Sequence, residues 1–484
     1  MKGKMTYCRI VIVLFLIVFC NCILQAQQNN TLFFMHSLPE ANFLNPAVQA
    51  PCPVFIGLPL VSSLHLNAAS SGFTGGEFTN FEGGEIVRDR SFDPTTTNRK
   101  NFLLWEVHAV ILALGIRRNE YYYTFSVMEK DNAALLFTRD LAVFSIDGSG
   151  PFEGRLVNLK GTGGVFNHYR EYALGISRVM SRSLTLGFKA KLLFGKFNLE
   201  TTGNHFDMDI DMGTRDILFN VDAGYNSSLP SSLQMGSDGN YRFYQRYEAS
   251  VPGYLMNNGN PGLAVDVGFI YNYSDRLVFS GSLLDLGFIS YRSNLTNFSL
   301  TGEYLYSGPF GSGSGDDRYL WDVFDELNDN MNEELTYESY THFLDPKLYL
   351  GASYRYNDRY DFNLLWYNRL LPGKLQTGVT VSVLAHPRPS LETSISWSYM
   401  NHSFLNLGMG VGYMKGPWQI YLVSDNIPGL VLPMRTKNVN LRLGINLNLG
   451  CRKMFDINQC GCSWLRDAEK KSARKEEFKR GNKR

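Results

Sequence analysis

After its first 26 residues the sequence has no apolar run approaching the ~20 residues that a membrane-spanning helix needs. Cysteine is scarce: there are seven in 484 residues, three of them among those first 26. The eight histidines never stand at a metal-ligand spacing such as His-x-x-x-His, and no convincing Gly-x-Ser-x-Gly motif or phosphate-binding loop occurs. No nucleophile–base pair is visible, so we predict no enzymatic activity and no cofactor.

The first 26 residues have the organisation of an export signal. Three basic residues precede the apolar run Ile10–Phe19, and Leu24-Gln25-Ala26 approximates a cleavage site, which would leave Gln27 as the first mature residue. The run is too short for a membrane anchor. Cys20 and Cys22 leave a lipoprotein open, although neither follows the usual small residue.

The net charge of +1 hides an uneven distribution. The signal carries +3 and residues 451–484 carry +6, which leaves −8 for residues 27–450. No basic face with interleaved aromatic residues occurs, so we predict no nucleic-acid partner. The chain is rich in aromatic residues, with 33 Phe, 27 Tyr and 6 Trp, as are membrane barrels, which place such residues in girdles at both interfaces.

Alternation of apolar and polar residues is the strongest pattern in the chain. Val439–Leu449 has an aliphatic residue at every odd position and Asn, Arg or Gly at every even one. Successive strand residues face opposite sides, so one face is apolar and the other polar. We predict that Leu441, Leu443, Ile445, Leu447 and Leu449 face lipid and that Arg442, Asn446 and Asn448 face the lumen. Likewise Leu184, Leu186 and Phe188 are placed outside, and Lys189 and Lys191 inside.

Because this alternation recurs along an exported chain, we predict an all-β protein, a transmembrane antiparallel barrel in the outer membrane. Short turns at 181–182, 274–276 and 357–359 define three hairpins, and we take them as periplasmic. About 14 strands are expected, within a range of 12–18, over residues 61–450. The pairs 102–115/121–129, 172–179/184–193, 265–273/277–286 and 348–356/360–366 are followed by single strands at 375–384, 391–400, 404–413, 418–424 and 439–449.

Three long stretches, about 130–165, 200–260 and 290–346, resist strand assignment and become long outer inserts. Within them 216–225 and 241–250 are further strand candidates, and Trp321–Leu327 has a short helical pattern. Residues 27–60 are too rich in proline for central strands. This segment is apolar for a free tail, so we favour a hatch that plugs the barrel, in which Asn45-Pro46-Ala47 makes a fixed turn.

Two groups of residues invite a metal or disulfide interpretation. Asp207, Asp209 and Asp211 share one strand face and are a candidate Ca²⁺ site, although a solvated acidic loop explains them better because a calcium loop's glycine and distal glutamate are missing. The mature chain retains Cys52, Cys451, Cys460 and Cys462, and export permits disulfides. A metal site and free thiols remain alternatives for the tail cysteines; we favour Cys52 bonded to one of them.

The last 34 residues, 451–484, form a basic tail that we expect in the periplasm. Its mixture of Arg, Lys and Glu with few apolar residues predicts disorder or a loose helix. A solvated extension is one interpretation. The other is an electrostatic contact with a periplasmic protein, anionic lipid or peptidoglycan.

Three segments carry a resemblance to a known family: Leu32–Ala47, Tyr169–Gly175 and Tyr421–Leu430. They resemble an uncharacterised family of Bacteroidetes outer-membrane proteins, which is distantly similar to the long-chain fatty-acid transporter (FadL) superfamily and its PorV-type members of the type IX secretion system. The resemblance spans about residues 31–450, and Asn45-Pro46-Ala47 matches a motif in FadL-type hatches. It implies a 14-stranded barrel with a hatch.

These observations lead to two functional hypotheses. The first is a non-enzymatic outer-membrane barrel that passes or binds a hydrophobic small molecule. The second is a structural or secretion-associated barrel whose outer inserts bind exported proteins.

Overall fold

The structure is a computed structural model that describes residues 29–451, except 75, 77–78, 83–84, 89–94, 96, 148–149, 153–154, 212–215, 230, 236–240, 246–250, 308–329, 372–373 and 401–402. The predicted signal, the basic tail beyond Cys451 (which includes Cys460 and Cys462), and the helical pattern at Trp321–Leu327 lie outside these residues.

The chain forms a closed antiparallel barrel of 14 strands, as predicted. The strands are β1 (Val54–Gly57 and Leu64–Ser70), β2 (Lys100–Arg118), β3 (Tyr121–Thr138), β4 (Gly163–Val179), β5 (Leu184–Ile210), β6 (Asn260–Asn272), β7 (Leu277–Tyr291), β8 (Tyr340–Phe343 and Lys347–Arg355), β9 (Tyr360–Leu371), β10 (Lys374–Arg388), β11 (Leu391–Met400), β12 (Ser403–Lys415), β13 (Trp418–Ser424) and β14 (Asn438–Leu449). The barrel closes where β1 pairs with β14.

The predicted register of the last strand is confirmed. Along β14 buried and more exposed residues alternate, and Arg442, Asn446 and Asn448 are the buried, inward-facing ones. On β5, Leu186 and Phe188 are exposed, whereas Lys189 and Lys191 are buried. The period-2 pattern therefore identified both faces of the wall.

The first strand begins earlier than predicted. Val54–Gly57 pairs with both β14 and β2, so the wall starts at residue 54 and not at 61. The chain leaves the sheet over residues 58–63, where Leu60 has a positive φ of 62°, and then rejoins it. The proline at 59 lies in this break, where no ladder hydrogen bond is required of it.

The long outer stretches contain more strand than predicted. β3, β5 and β7 continue beyond their predicted ends, and the outer half of β5 pairs with Ile217–Ser228. That strand pairs with Leu295–Tyr306, which in turn pairs with Asn332–Thr336. The candidate 216–225 is thus a strand of this outer sheet and not of the barrel wall. The candidate 241–250 contributes Tyr241–Gln245 to a hairpin with Ser231–Met235.

Helices are short and lie outside the wall strands. Among the described residues, the α-helices are Arg139–Asp147, Val251–Met256 and Ile427–Val431, and the 3₁₀ helices are Leu32–Phe34, Pro39–Phe43, Gly150–Phe152 and Pro433–Arg435. A further hairpin pairs Thr79–Glu82 with Glu85–Arg88. Within the described ranges, no helix has the length and apolar character needed to span a membrane.

Candidate functional site: the lumen and its hatch

The segment of residues 29–53, which we call the hatch, lies inside the barrel. Most of its side chains are buried, and Leu32, Phe33, Met35 and Leu38 have no exposed surface. It has no strand of its own, because its two 3₁₀ helices are joined by irregular turns. The expected segment therefore occupies the lumen.

Polar side chains of the barrel form hydrogen bonds with the backbone of the hatch at several points along its length. At its start, the Thr31 backbone N–H donates to Asp425 (2.8 Å). Further along, Lys189 Nζ donates to the Asn42 carbonyl (2.7 Å) and Gln419 Nε2 to the Ser37 carbonyl (3.0 Å). These side chains satisfy backbone groups that an irregular buried segment would otherwise leave unpaired.

The Asn45-Pro46-Ala47 motif forms a buried turn against the wall. Asn45 Oδ1 accepts the N–H of Ala47 (3.0 Å), and its Nδ2 donates to the carbonyl of Phe269 on β6 (3.1 Å). One side chain thus closes the turn locally and attaches it to the barrel. Asn45 itself has no exposed surface.

The other side of the hatch meets an apolar wall. Phe33 stacks on Tyr349, with ring centroids 5.3 Å apart, and Tyr349 packs on Tyr367 at 4.7 Å. The wall side chains in this apolar cluster come from β7 to β10 and β13: Leu284, Tyr349, Leu365, Tyr367, Leu384, Tyr421 and Val423. The lumen is therefore not uniformly polar.

Glycines of the wall make room for the hatch. A Cβ placed on Gly187 would lie 2.2 Å from the Pro46 carbonyl carbon, and one on Gly268 would lie 2.2 Å from Asn45 Oδ1. On β12, the alternate glycines Gly408, Gly410 and Gly412 face Thr31, Met35 and Leu38. The wall and the hatch are thus fitted to each other at the level of single methyl groups.

Beside the hatch, six consecutive strands each contribute one charged side chain to an ion-pair network, in which five side chains are buried and Lys347 is half-buried: Lys130, Glu171, Lys191, Asp266, Asp285 and Lys347. Asp285 is its hub, at 2.6 Å from Lys191 Nζ, 3.2 Å from Lys347 Nζ and 3.6 Å from Lys130 Nζ. Lys191 also contacts Asp266 (2.7 Å), and Lys130 contacts Glu171 (2.7 Å). Buried charges persist in this way only when they are paired.

The backbone at Asp285 is unusual. Its φ is +59°, in the left-handed region, and its N–H donates to Asp266 Oδ1 (2.8 Å). The ladder between β6 and β7 shifts register at Val265/Val267 near this position. The bulge turns the Asp285 carboxylate toward three lysines, and Asp tolerates this conformation better than most residues.

Two small cavities flank the network. One of about 50 Å³ lies between the network and the hatch, and it is also lined by Lys189 and Arg442. Another of about 30 Å³ is lined by Asn132, His342 and Arg369 and shares Asp285 and Lys347 with the first. Neither of these two cavities holds more than a few waters.

The structure brings Cys52 and Cys451 together as a disulfide, with Cα atoms 4.6 Å apart. Cys52 precedes β1 and Cys451 follows β14, so the bond spans the closing seam at the end where the hatch enters. The pairing gives Cys52 a tail partner, one of the arrangements that the sequence left open.

The acidic metal candidate gains no support from the geometry. Asp207 and Asp209 lie on the outer half of β5 and Asp211 follows it, and Asp207 contacts His205 (3.2 Å). Among the residues that the structure describes, no group of three or more His, Cys, Asp or Glu side chains could hold a metal ion.

Sequence reasoning located the hatch and two inward lysines but missed the charged network. Of its carboxylates, Asp266 and Asp285 lie within the predicted strands 265–273 and 277–286, whereas Glu171 lies one residue before the predicted strand 172–179. For Asp266 the available signal was a charged residue between two outward-facing valines, Val265 and Val267. The ion-pair partners of these carboxylates could not be predicted from the sequence, because the ion pairs join residues up to 155 positions apart, as between Lys130 and Asp285.

Comparison with solved structures finds barrels of low sequence identity. The toluene transporter TbuX of Ralstonia pickettii is 10% identical with a TM-score of 0.40, over 85% of this chain and 94% of TbuX. A FadL homologue of Pseudomonas aeruginosa is 11% identical with a TM-score of 0.39, over 88% and 100%. The translocator domain of autotransporter NalP from Neisseria meningitidis is 7% identical with a TM-score of 0.30, over 82% and 88%.

A search of curated proteins finds no significant match. A family model, by contrast, covers most of the barrel and begins inside the hatch, at the proline of Asn45-Pro46-Ala47. It matches residues 46–425, well over half of the sequence. The chain therefore belongs to DUF5723, a family of unknown function.

Proposed function

We propose that this protein is a non-enzymatic outer-membrane barrel that binds or passes a hydrophobic small molecule when its hatch moves. The observation that carries the proposal is the apolar wall behind the hatch. Moving Phe33 away from Tyr349 would uncover a lumen surface of leucine, valine and tyrosine side chains. Such a surface suits an apolar passenger, whereas a channel for ions or sugars has a polar lining.

The outer surface of the barrel suits a bilayer. Every strand carries at least one large exposed apolar or aromatic side chain: Leu66, Ile116, Tyr123, Leu174, Leu186, Val267, Phe279, Leu350, Leu364, Val381, Ile395, Leu407, Ile420 and Leu443. An outer surface with exposed apolar side chains on every strand is unfavourable in water and favourable against lipid. Together with the closed barrel, it supports location in an outer membrane.

The attachment of the hatch suits movement. Side-chain hydrogen bonds and apolar contacts hold it, while continuous backbone pairing holds the wall. Its C-terminal end is anchored by the Cys52–Cys451 bond, so the preceding residues can shift without being lost from the barrel. The secretion-associated alternative gains no support from the comparisons.

The proposal is tested by uptake into cells whose outer leaflet is lipopolysaccharide, which slows hydrophobic compounds. Two probes are compared, a neutral aromatic dye that fluoresces in lipid and a hydrophilic β-lactam. Expression of the protein should raise dye entry and leave β-lactam entry unchanged. Asn45→Ala, which releases the hatch turn, should raise dye entry further, while Asn220→Ala on an exposed outer strand should behave as wild type.

Equal entry of both probes would indicate a polar pore, and no increase for either would leave the passage role without support. Binding of the dye by purified protein, without uptake, would reduce the function to binding alone.

A further inference from the structure

The hatch buries a carboxylate in the lumen. Glu40 lies on the 3₁₀ helix Pro39–Phe43 and has no exposed surface. Its Oε1 accepts a hydrogen bond from Asn446 Nδ2 on β14 (2.7 Å). Its Oε2 has no hydrogen-bond partner in the part of the chain that the structure describes, nor does any ion pair there include Glu40.

Three titratable or charged wall groups face Glu40. They are Arg442 on β14, Tyr421 on β13 and Tyr122 on β3. The Arg442 guanidinium donates to Asn29 Oδ1 and Ser63 Oγ, both at 2.9 Å, and so attracts Glu40 only from a distance. Burial therefore dominates and raises the pKa of Glu40 to about 7, against the hydrogen bond from Asn446 and the charge of Arg442.

A second buried carboxylate contacts the first residues of the hatch. Asp425, just beyond β13, accepts the Thr31 N–H, and its burial likewise raises its pKa. Both contacts survive protonation, because one oxygen of a carboxyl group remains an acceptor. The two groups therefore favour the seated hatch most when they are neutral.

We propose that seating of the hatch is linked to protons, with Glu40 as the principal switch: acid holds the hatch in the lumen, and a rise toward neutral pH loosens it. If proton-linked seating regulates passage of a molecule through the barrel, that role rests on the proposed function. The seating equilibrium itself is measurable without any passenger molecule.

The direction follows from comparing the two states. When the hatch is released, Glu40 meets water and ionises near its ordinary pKa of 4.5; when it is seated, Glu40 keeps its proton up to about pH 7. Seating thus takes up one proton between these values. The seating constant is highest below about pH 4.5, falls roughly tenfold per pH unit, and levels off above about pH 7.

Hydrogen–deuterium exchange of residues 29–50 in the full-length protein in detergent measures this seating. Protection is expressed relative to an unstructured peptide of the same sequence at each pH, which removes the chemical pH dependence of exchange. In wild type, protection should fall at least about tenfold from pH 5 to pH 7. Glu40→Gln keeps the acceptor for Asn446 and should remove most of that fall, while Glu338→Gln, at an exposed position, should retain it.

A second variant extends the window without removing the carboxyl group. Asn446→Ala deletes the hydrogen bond that favours ionised Glu40 in the seated state, so the fall in protection should start at the same pH as in wild type and continue to a higher pH before it levels off. Constant protection in wild type between pH 5 and 7, or an equally steep fall in Glu40→Gln, would overturn the proposal. Proton-linked protection with no selective dye uptake would keep it and reject the transport role.

Discussion

At the scale of single residues, the close packing between wall and hatch depends on glycines, which have no side chain. Gly187 faces the Pro46 backbone so closely that the wall permits no Cβ there. The alternate glycines of β12 repeat the arrangement beside Met35. Substitution at such a site must move backbone, and this costs more than rotating a flexible side chain.

Gly187→Ala should therefore unseat the Asn45-Pro46-Ala47 turn and lower stability by about 1–3 kcal/mol. Exchange protection of residues 42–48 and thermal unfolding measure the two effects. Gly164→Ala is the matched control, because its Cβ would lie 3.5 Å from the nearest atom, an ordinary contact. Equal behaviour of the two variants would show that the turn does not press on β5.

The Asp285 carboxylate is the shared counter-charge of three lysines in the lumen. Asp285→Asn keeps the shape of the side chain and its tolerance of positive φ, but it leaves the buried Lys130 and Lys191 and the half-buried Lys347 short of one counter-charge. We expect a loss of about 3 kcal/mol, measured by the urea midpoint of unfolding, because a buried charge without its partner is costly. Asp209→Asn, at an exposed position of β5, should change the midpoint little.

The sequence was sufficient for residues whose environment is set by the strand period alone. Lys189, Lys191 and Arg442 face inward because they alternate with lipid-facing neighbours. It was insufficient for their partners, since Lys189 binds a carbonyl 147 positions away and Arg442 an asparagine 413 positions away. Such contacts depend on how the hatch threads the lumen, which no local pattern encodes.

At the scale of elements, the sequence predicts strands well where one face meets lipid, and it predicts them poorly where the strands extend beyond the lipid-facing wall. The outer half of β5 alternates polar side chains, such as His205 and Asp207, with apolar ones that pack within the outer sheet. Its far end thus lacks the lipid-facing signature by which the barrel strands were found. The two halves of β1 were likewise not predicted from the sequence, because each is short and a proline lies between them.

A charge in the apolar band tests where lipid begins. Ile420→Arg on β13 places a guanidinium on the outer face beside Ile445 and should cost about 2–4 kcal/mol, seen as reduced assembly in lipid. Val431→Arg, on the exposed outer helix Ile427–Val431, should assemble normally. Asn446→Arg would not be a neutral comparison, because Asn446 binds Glu40 inside the lumen. Equal yields of the first two variants would contradict the assigned face.

At the scale of the whole molecule, one covalent bond crosses the seam where the barrel closes. Cys451→Ser should lower stability by about 2–5 kcal/mol under oxidising conditions, since the bond closes a very long loop in the unfolded chain. Unfolding with and without reductant measures the difference, and Cys460→Ser is the control. Non-reducing peptide mapping should recover a Cys52–Cys451 cross-linked peptide. A stability unaffected by reductant would mean that the strand pairing alone secures the seam.

The same bond changes the topology of the polypeptide. From residue 52 to residue 451 the oxidised chain is a covalent circle, with the hatch as one free arm and the basic tail as the other. A protease that cuts one outer loop would open the circle without separating its pieces, so a nicked molecule should migrate as a single species until it is reduced. Surface cleavage and loss of the barrel would then be separate events.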